Sequence, residues 1–486
     1  MITRNDLNPD LLRAEYAVRG PVPARAKQLE AQGRKVIYCN IGNPQAFASQ
    51  RPITYLRQLL ALVEYPALLE DPAARPLFPG DVMAKARRIL ERHPSGTGAY
   101  THEAGIPFIR KAVADFIGRR DGIPADPDHI LLTDGASKGV EAAIVALLKD
   151  RRDGILIPIP QYPLYSAEIA LRGGRAIGYH LDEKRHWQLR EESLTAAISR
   201  ARAEGTRPVA IAVINPGNPT GAVLAHENIE MIIRFARAHG LAILADEVYQ
   251  ENVYVSDRRF HSFAKVMHEM GEAAVSLFSF HSVSKGFLGE CGHRGGYVEL
   301  RNIPDDVLAQ LMKLQSISLC AGVVGQLAVY VMVEPPAPGE ESYARYVRER
   351  DGLLAAFKAK AEMLGRGINA IPGMSLQAPQ GALYAFVRFE LPAEPGVDPA
   401  GMGPEQQAAY EAQRDNAYCL ALLEETGICV VPGSGFGQEP GTLHFRTTFL
   451  PSREEIEELV ERLGAFHRRY VERLATRGSA VPAPAG

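Results

Sequence analysis

Between Pro94 and Pro335 the chain alternates short aliphatic runs with longer stretches of helical periodicity, and this alternation restricts the fold more than any other feature. Candidate strands are His129–Thr133, Ile155–Ile159, Arg175–His180, Val209–Ile214, Leu241–Ala245, Ala274–Phe280 and Gly296–Leu300. Most are near-continuous apolar runs, the pattern of strands buried on both faces of a sheet. Helical segments such as Gly139–Lys149, Ser193–Glu204 and Glu227–Ala238 lie between them. Strand and helix in repetition predict an α/β fold with a mostly parallel, seven-stranded sheet covered by helices.

The flanks differ. Residues 1–93 carry an N-terminal arm, the strand-like Val36–Cys39 and two helical stretches. After Glu334-Pro335-Pro336 comes an amphipathic stretch, Glu341 to Ile371, then strand-like Leu383–Phe389, Ile428–Val431 and Thr442–Thr448, and a closing helix, Ser452 to Leu474. This α+β pattern predicts a smaller domain built from residues 1–93 and 336–476, beside a larger one over 94–335. Pro392–Gln413 has the composition of a surface excursion leading into a helix, and residues 477–486 that of a disordered tail.

Lys plus Arg number 54 and Asp plus Glu 57, interspersed along the chain, so no basic footprint for nucleic acid or an anionic membrane is present. The five cysteines are odd in number and widely spaced without a CxxC pair, which argues against a disulfide framework or a structural zinc site. The first twenty residues are charged throughout and lack the apolar core of a secretory signal. No window approaches the ~18 uninterrupted apolar residues of a membrane helix. A cytoplasmic protein without a structural metal centre is the expectation.

Four connections carry candidate chemistry. Thr133-Asp134-Gly135-Ala136-Ser137-Lys138-Gly139 joins a strand to a helix, and its small residues would let backbone N–H groups approach an anion. Taken alone it is equally an ordinary strand-to-helix turn. Asn215-Pro216-Gly217-Asn218-Pro219-Thr220-Gly221 is stiffened by two prolines and gives an Asn side chain a defined direction, or is a plain turn. Leu244-Ala245-Asp246-Glu247-Val248-Tyr249 places a carboxylate at the carboxyl end of an apolar strand, where ligands collect in parallel sheets; a helix N-cap is the alternative. Ser282-Val283-Ser284-Lys285-Gly286 follows the next strand, with Arg294 nine positions on. Lys285 reads as a solvated turn residue or as a desolvated amine of depressed pKa that bonds an aldehyde.

The order of these pieces resembles the fold-type I aminotransferases, and is closest to their alanine aminotransferase group. The resemblance runs from Ile41-Gly42-Asn43-Pro44 to the last helix. It is carried above all by Ile41–Leu56, Gly98–Ile106, Ser279–Tyr297, Leu423–Gly437 and His444–Pro451. It implies pyridoxal 5'-phosphate as cofactor, with Lys285 as its covalent anchor and proton shuttle. By the same resemblance Asp246 pairs with the pyridine nitrogen, Asn218 and Tyr249 bond the phenolic oxygen, and Tyr162 stacks on the ring. Ala136, Ser137, Ser282 and Arg294 would hold the phosphate, and Tyr100 would reach the phosphate of a partner subunit, which makes a homodimer part of the expectation. Arg446, with the backbone at Gly42, would clamp the substrate carboxylate. His281 and His293, beside the lysine segment, are expected to orient neighbours and not to act as acids, bases or ligands.

Two positions depart from that group. Lys138 stands where a small or acidic residue is expected. Ser318 stands where animal members commonly have Arg, and the chain has no Arg between Arg301 and Arg345 to clamp a distal carboxylate. Aspartate is thereby disfavoured, and the use of 2-oxoglutarate is put in question. The resemblance implies transfer of an amino group from a small L-amino acid, alanine foremost, to a 2-oxo acid such as 2-oxoglutarate by a ping-pong route. Transamination of another amino acid, or a lyase outcome of the aminocyclopropane-carboxylate synthase or C–S lyase kind, is the alternative.

Overall fold

The computed structural model describes residues 1–16, 20–394 and 397–479. A two-residue strand, β1 (Ile37–Tyr38), precedes the main sheet. Seven strands follow: β2 (Ile130–Asp134), β3 (Asp153–Ile159), β4 (Arg175–His180), β5 (Arg207–Ile214), β6 (Ala242–Asp246), β7 (Leu277–Ser282) and β8 (Gly295–Arg301). They form one sheet in the order β2-β8-β7-β6-β5-β3-β4. Every pairing is parallel except those of β8, which runs antiparallel to both neighbours. All seven strands expected from the apolar runs are present, with ends shifted by a few residues; the largest shift is at β7, which starts at Leu277 because Ala274 and Val275 donate their N–H groups to the Glu272 carboxylate.

The register brings the functional segments to one edge. Ile214 lies opposite Asp246, and Asp246 opposite Phe280. Ser282 lies opposite Gly296, and Asp134 opposite Gly295. Because β8 runs the other way, its beginning meets the carboxyl ends of β2 and β7, the edge where open α/β sheets collect ligands.

A second sheet is made of β9 (Met374–Ser375), β10 (Tyr384–Phe389), β12 (Val431–Pro432) and β13 (His444–Thr448), in the order β12-β13-β10-β9 and antiparallel throughout. The run expected as one strand over Ile428–Val431 is divided. Its first half, β11 (Ile428–Cys429), pairs in parallel with β1, and only Val431–Pro432 joins the second sheet. The helices Tyr343–Asn369, Pro404–Thr426 and Arg453–Ser479 cover this sheet, and Phe357, Leu364, Leu422 and Phe466 close a core against it with Val387 and Phe445.

The N-terminal segment is shared between the two bodies. The helix Pro21–Ala31 and β1 add Val22, Leu29 and Ile37 to the core of the smaller sheet. The helices Thr54–Glu64 and Gly80–Arg92 instead bury Leu56, Leu59, Val82 and Ile89 against Ile109, Val113, Leu327 and Val331 of the larger body. Their apolar stripes recur at helical spacing, and the facing helices Pro107–Asp121 and Val323–Val333 offer the matching surface. The closing helix continues through residues 477–479, which were expected to be tail; residues 480–486 lie outside the described ones. Among the described residues no helix is long and apolar enough to cross a membrane.

Candidate active site

A cavity of about 320 Å³ opens at the carboxyl edge of the main sheet, against the smaller one. Ten residues singled out in the sequence line it: Gly42, Ala136, Ser137, Tyr162, Asn218, Asp246, Tyr249, Ser282, Lys285 and Arg294. Arg446 stands directly behind Asn218 and Tyr384. Tyr100 does not reach the cavity in the single chain and is 77 % exposed.

Asp246 ends β6 with its carboxyl buried. Tyr165 Oη donates to its Oδ2 at 3.3 Å, and the Val248 N–H lies 3.5 Å from its Oδ1. Burial pushes its pKa up to about 6, with those hydrogen bonds and the Lys285 charge pulling the other way. A long-range counter-charge and two long hydrogen bonds under-serve a carboxylate in this position, so the site suits a cationic ring nitrogen.

Lys285 follows β7 through a turn, and its Nζ donates to the Gly42 carbonyl at 2.6 Å. Burial depresses the amine, but the Tyr384 oxygen and Cys291 outweigh it, so the net shift is upward. Of the two readings left open by the sequence, the net direction at Lys285 departs from a depressed amine, because the smaller sheet supplies the Tyr384 hydroxyl that no feature near Lys285 in the chain announces.

At the other end of the cavity the helix Ala136–Leu147 starts with its free N–H groups at the rim. Gly135 before it has φ +76°, and a Cβ there would collide with the Arg294 guanidinium. Arg294 donates to the carbonyls of Cys291 at 2.8 Å and Asp134 at 3.1 Å, and no carboxylate pairs with it among the described residues. Its charge is left for an anion at the helix start. Ser282 Oγ lines the same end while accepting from the Ser284 N–H at 3.3 Å, so the hydroxyl also caps its own turn.

Arg446, from β13, is 1 % exposed. One terminal nitrogen donates to the Asn40 carbonyl at 2.9 Å and the other to Asn218 Oδ1 at 3.4 Å, while its Nε has no partner. The guanidinium lies over the rings of Tyr384 and Phe436, 4.4 and 4.7 Å from their centroids. A buried guanidinium with an unserved N–H and no carboxylate is built to receive one.

Tyr162 closes the cavity on another side, and its hydroxyl lies 2.9 Å from that of Tyr16 in the N-terminal arm. Tyr249 and Tyr384 meet edge to face with centroids 6.0 Å apart.

Neither departure lines this cavity; both border a separate one beside Thr133 and Asp134. Lys138 is exposed and pairs with Glu141 at 2.5 Å. Ser318 is an exposed C-cap of the helix Asp305–Ile317. His281 is buried on β7 among Arg120 and Tyr297, with its pKa lowered to about 3 by burial and then by the Arg120 charge. His293 bonds Glu290 at 2.9 Å, and Glu290 in turn takes both arms of Arg57, so this histidine braces the segment after the lysine.

Sequence reasoning missed Tyr165, Cys291 and Tyr384. Tyr165 is one helical turn beyond Tyr162 and could have been found by that spacing. Tyr384 lies on the strand that pairs with β13, and only the pairing reveals it.

The buried acid, the buried amine, the anion cradle and the free guanidinium, set around the edge of a mostly parallel sheet, fit pyridoxal 5'-phosphate and define a fold-type I enzyme of that cofactor. The chain belongs to the aminotransferase class I and II family, whose model matches residues 74–463. It is 46 % identical to a probable mitochondrial alanine aminotransferase of Dictyostelium discoideum, over 97 % of this chain and 90 % of that protein. It is 43 % identical to glutamate–glyoxylate aminotransferase 2 of Arabidopsis thaliana, over 96 % of this chain and 96 % of that one. Among solved structures, an alanine aminotransferase from Pyrococcus furiosus superposes with a TM-score of 0.74 at 26 % identity, covering 95 % of this chain and all of that one.

Proposed function

We propose that this aminotransferase moves the amino group of L-alanine to 2-oxoglutarate by a ping-pong route, with Lys285 as the residue that anchors the cofactor and moves the proton. The observation that supports the mechanism is the convergence of Lys285 and Asp246 on one cavity, with Arg446, whose Nε has no partner, directly behind its Asn218 and Tyr384 wall. The choice of alanine rests on similarity to proteins named for that substrate.

When bound, pyridoxal phosphate supplies an electron sink for the pair released as the substrate loses its α-proton. Asp246 would hold the ring nitrogen in its protonated form, because a neighbouring carboxylate raises that nitrogen's pKa. Asn218 and Tyr249 would fix the phenolic oxygen, and Tyr162 would cover one ring face. Ala136, Ser137, Ser282 and Arg294 would hold the phosphate. Arg446, with Gly42 beside it, would fix the substrate carboxylate and so orient the α-hydrogen. Lys285 Nζ would take the proton from the α-carbon and return it on the cofactor side.

A homodimer is part of the proposal. Tyr100 is exposed, as are the apolar Ile317 (77 %) and Leu319 (52 %), and Tyr100 would complete the partner's phosphate site. A cytoplasmic location is proposed as well; the Dictyostelium relative is named mitochondrial, so cell fractionation decides between the two.

The test is the visible spectrum of the purified enzyme with alanine, aspartate, glutamate or glycine added singly. Conversion to the pyridoxamine form by alanine and glutamate, with aspartate much slower, is expected. Conversion by glutamate and glycine but not alanine would replace the named reaction with that of the Arabidopsis relative. A Lys285→Ala variant that turns over like wild type would remove the mechanism.

A further inference from the structure

The Tyr384 hydroxyl is placed among the reacting groups without a role in the scheme above. β10 puts it at the cavity wall that Lys285 also lines. Gly42 has no side chain where the hydroxyl passes, and a Cβ there would overlap the Tyr384 oxygen. That same glycine's carbonyl accepts from Lys285 Nζ at 2.6 Å, so the lysine amine, the Gly42 backbone and the Tyr384 hydroxyl converge. Tyr249 meets the Tyr384 ring edge to face, with centroids 6.0 Å apart, and Lys285 Nζ lies 5.9 Å from the Tyr249 ring centroid. The Arg446 guanidinium lies 4.4 Å from the Tyr384 ring centroid.

From this convergence we infer that Tyr384 is the proton-holding partner of Lys285, accepting one N–H of its ammonium while Gly42 accepts a second. An ammonium has three N–H bonds. With two held by oxygens of the smaller sheet and of the Gly42 loop, the third is the one left to face the cavity. The balance is simple. The bond from the substrate α-carbon to its hydrogen breaks, an N–H bond forms on Lys285, and the same N–H bond later breaks to give the proton back. Tyr384 neither gains nor loses a proton over the cycle; it keeps the ammonium from turning its new proton toward solvent. The charges agree with this assignment: the Lys285 amine is held above its ordinary range and the Tyr384 phenol, against its burial, below its own.

The inference rests on the reading of Lys285 as the proton shuttle, so the experiment separates the two. Tyr384→Phe keeps the ring under Arg446 and removes only the hydroxyl. The full-length enzyme, loaded with pyridoxamine phosphate so that Lys285 is unbonded, is labelled with acetic anhydride across a pH series, and the Lys285 peptide is quantified by mass spectrometry. Its midpoint is expected to fall by half a unit or more in Tyr384→Phe, about a threefold rise in free amine at a given pH below the midpoint. The pH limb of the alanine half-reaction should move in the same direction, and the thermal melt should not. The reciprocal measurement uses Lys285→Met, in which the Tyr384 phenol should titrate at higher pH than in wild type. An unmoved Lys285 midpoint in a folded Tyr384→Phe enzyme, or an unmoved Tyr384 titration in Lys285→Met, overturns the inference and leaves the aminotransferase reading intact. Turnover of alanine by Lys285→Met overturns the reading itself.

Discussion

Replacing Asp246 by Asn should stabilise the cofactor-free protein at neutral pH while disabling the loaded enzyme. The carboxyl is buried, and its pKa stands at about 6 against 3.8 in the open chain. An acid whose folded pKa is raised is favoured when protonated, so its contribution is complete below pH 3.8 and lost as pH climbs through 6. Two pKa units correspond to about 3 kcal/mol at neutral pH, and the same relation leaves only about 0.5 kcal/mol at pH 4. Asn carries no charge to desolvate, but its NH2 group lacks an acceptor where Tyr165 and Val248 are both donors, which offsets about 1 kcal/mol. The variant should therefore be about 2 kcal/mol more stable than wild type at pH 7.5 and about 0.5 kcal/mol less stable at pH 4. Urea unfolding of both cofactor-free proteins at the two pH values measures the swing. With pyridoxal phosphate bound the order at pH 7.5 should reverse, since a cationic ring nitrogen then answers the charge. A swing below about 1 kcal/mol would refute the argument, because the buried carboxylate would then have a partner that the geometry does not contain.

Arg446→Lys replaces a two-armed donor by a point charge and gives up one charge-assisted hydrogen bond of about 1.5–3 kcal/mol, so kcat/KM for alanine should fall roughly 10- to 100-fold. Steady-state kinetics checks this, and ethylamine, which has no carboxylate, should react equally poorly with both enzymes. Gly135→Ala strains a backbone at φ +76° and pushes on the Arg294 guanidinium. Cofactor affinity by equilibrium dialysis should weaken about tenfold or more, matching a strain of about 1–3 kcal/mol. Phe386→Ala empties the centre of a cluster in which that ring stacks on His444 at 4.6 Å and meets Trp187 and Phe436 edge to face. It should lower stability by about 3–5 kcal/mol in urea unfolding.

The main sheet was legible because its strands are buried on both faces and so appear as unbroken apolar runs, each ended by turn residues. The lysine, the aspartate and the asparagine were legible for the same reason: each interrupts the sequence just where an apolar strand ends, and strand ends in a parallel sheet converge. What stayed hidden is what depends on pairing between distant segments. Nothing near Val430 says that Ile428–Cys429 will pair with β1 while Val431–Pro432 turns into another sheet. Nothing near Thr54 says that its helix will choose the larger body over the smaller, since an apolar stripe names no partner.

Tyr384 is the sharpest case, and it bears on how such a site works. The residues legible from strand ends all belong to the larger body or the loop at Gly42, and they are the ones proposed to hold the cofactor. Of the groups that bear on the charge of Lys285, Cys291 belongs to the larger body, but Tyr384 from β10 and Arg446 from β13 come from the smaller sheet, two positions apart in cross-strand register. Arg446 was found only because a family resemblance named it. In the proposed scheme the residue that would bind substrate, Arg446, and the one that would hold the Lys285 proton, Tyr384, are mounted on adjacent strands, with the guanidinium over the phenol ring. On those proposed roles, a shift of Arg446 on taking up a carboxylate would change the charge over that ring, and with it the hold of its oxygen on Lys285. Binding of the substrate and readiness of the base would then be coupled through one contact, which neither segment displays alone.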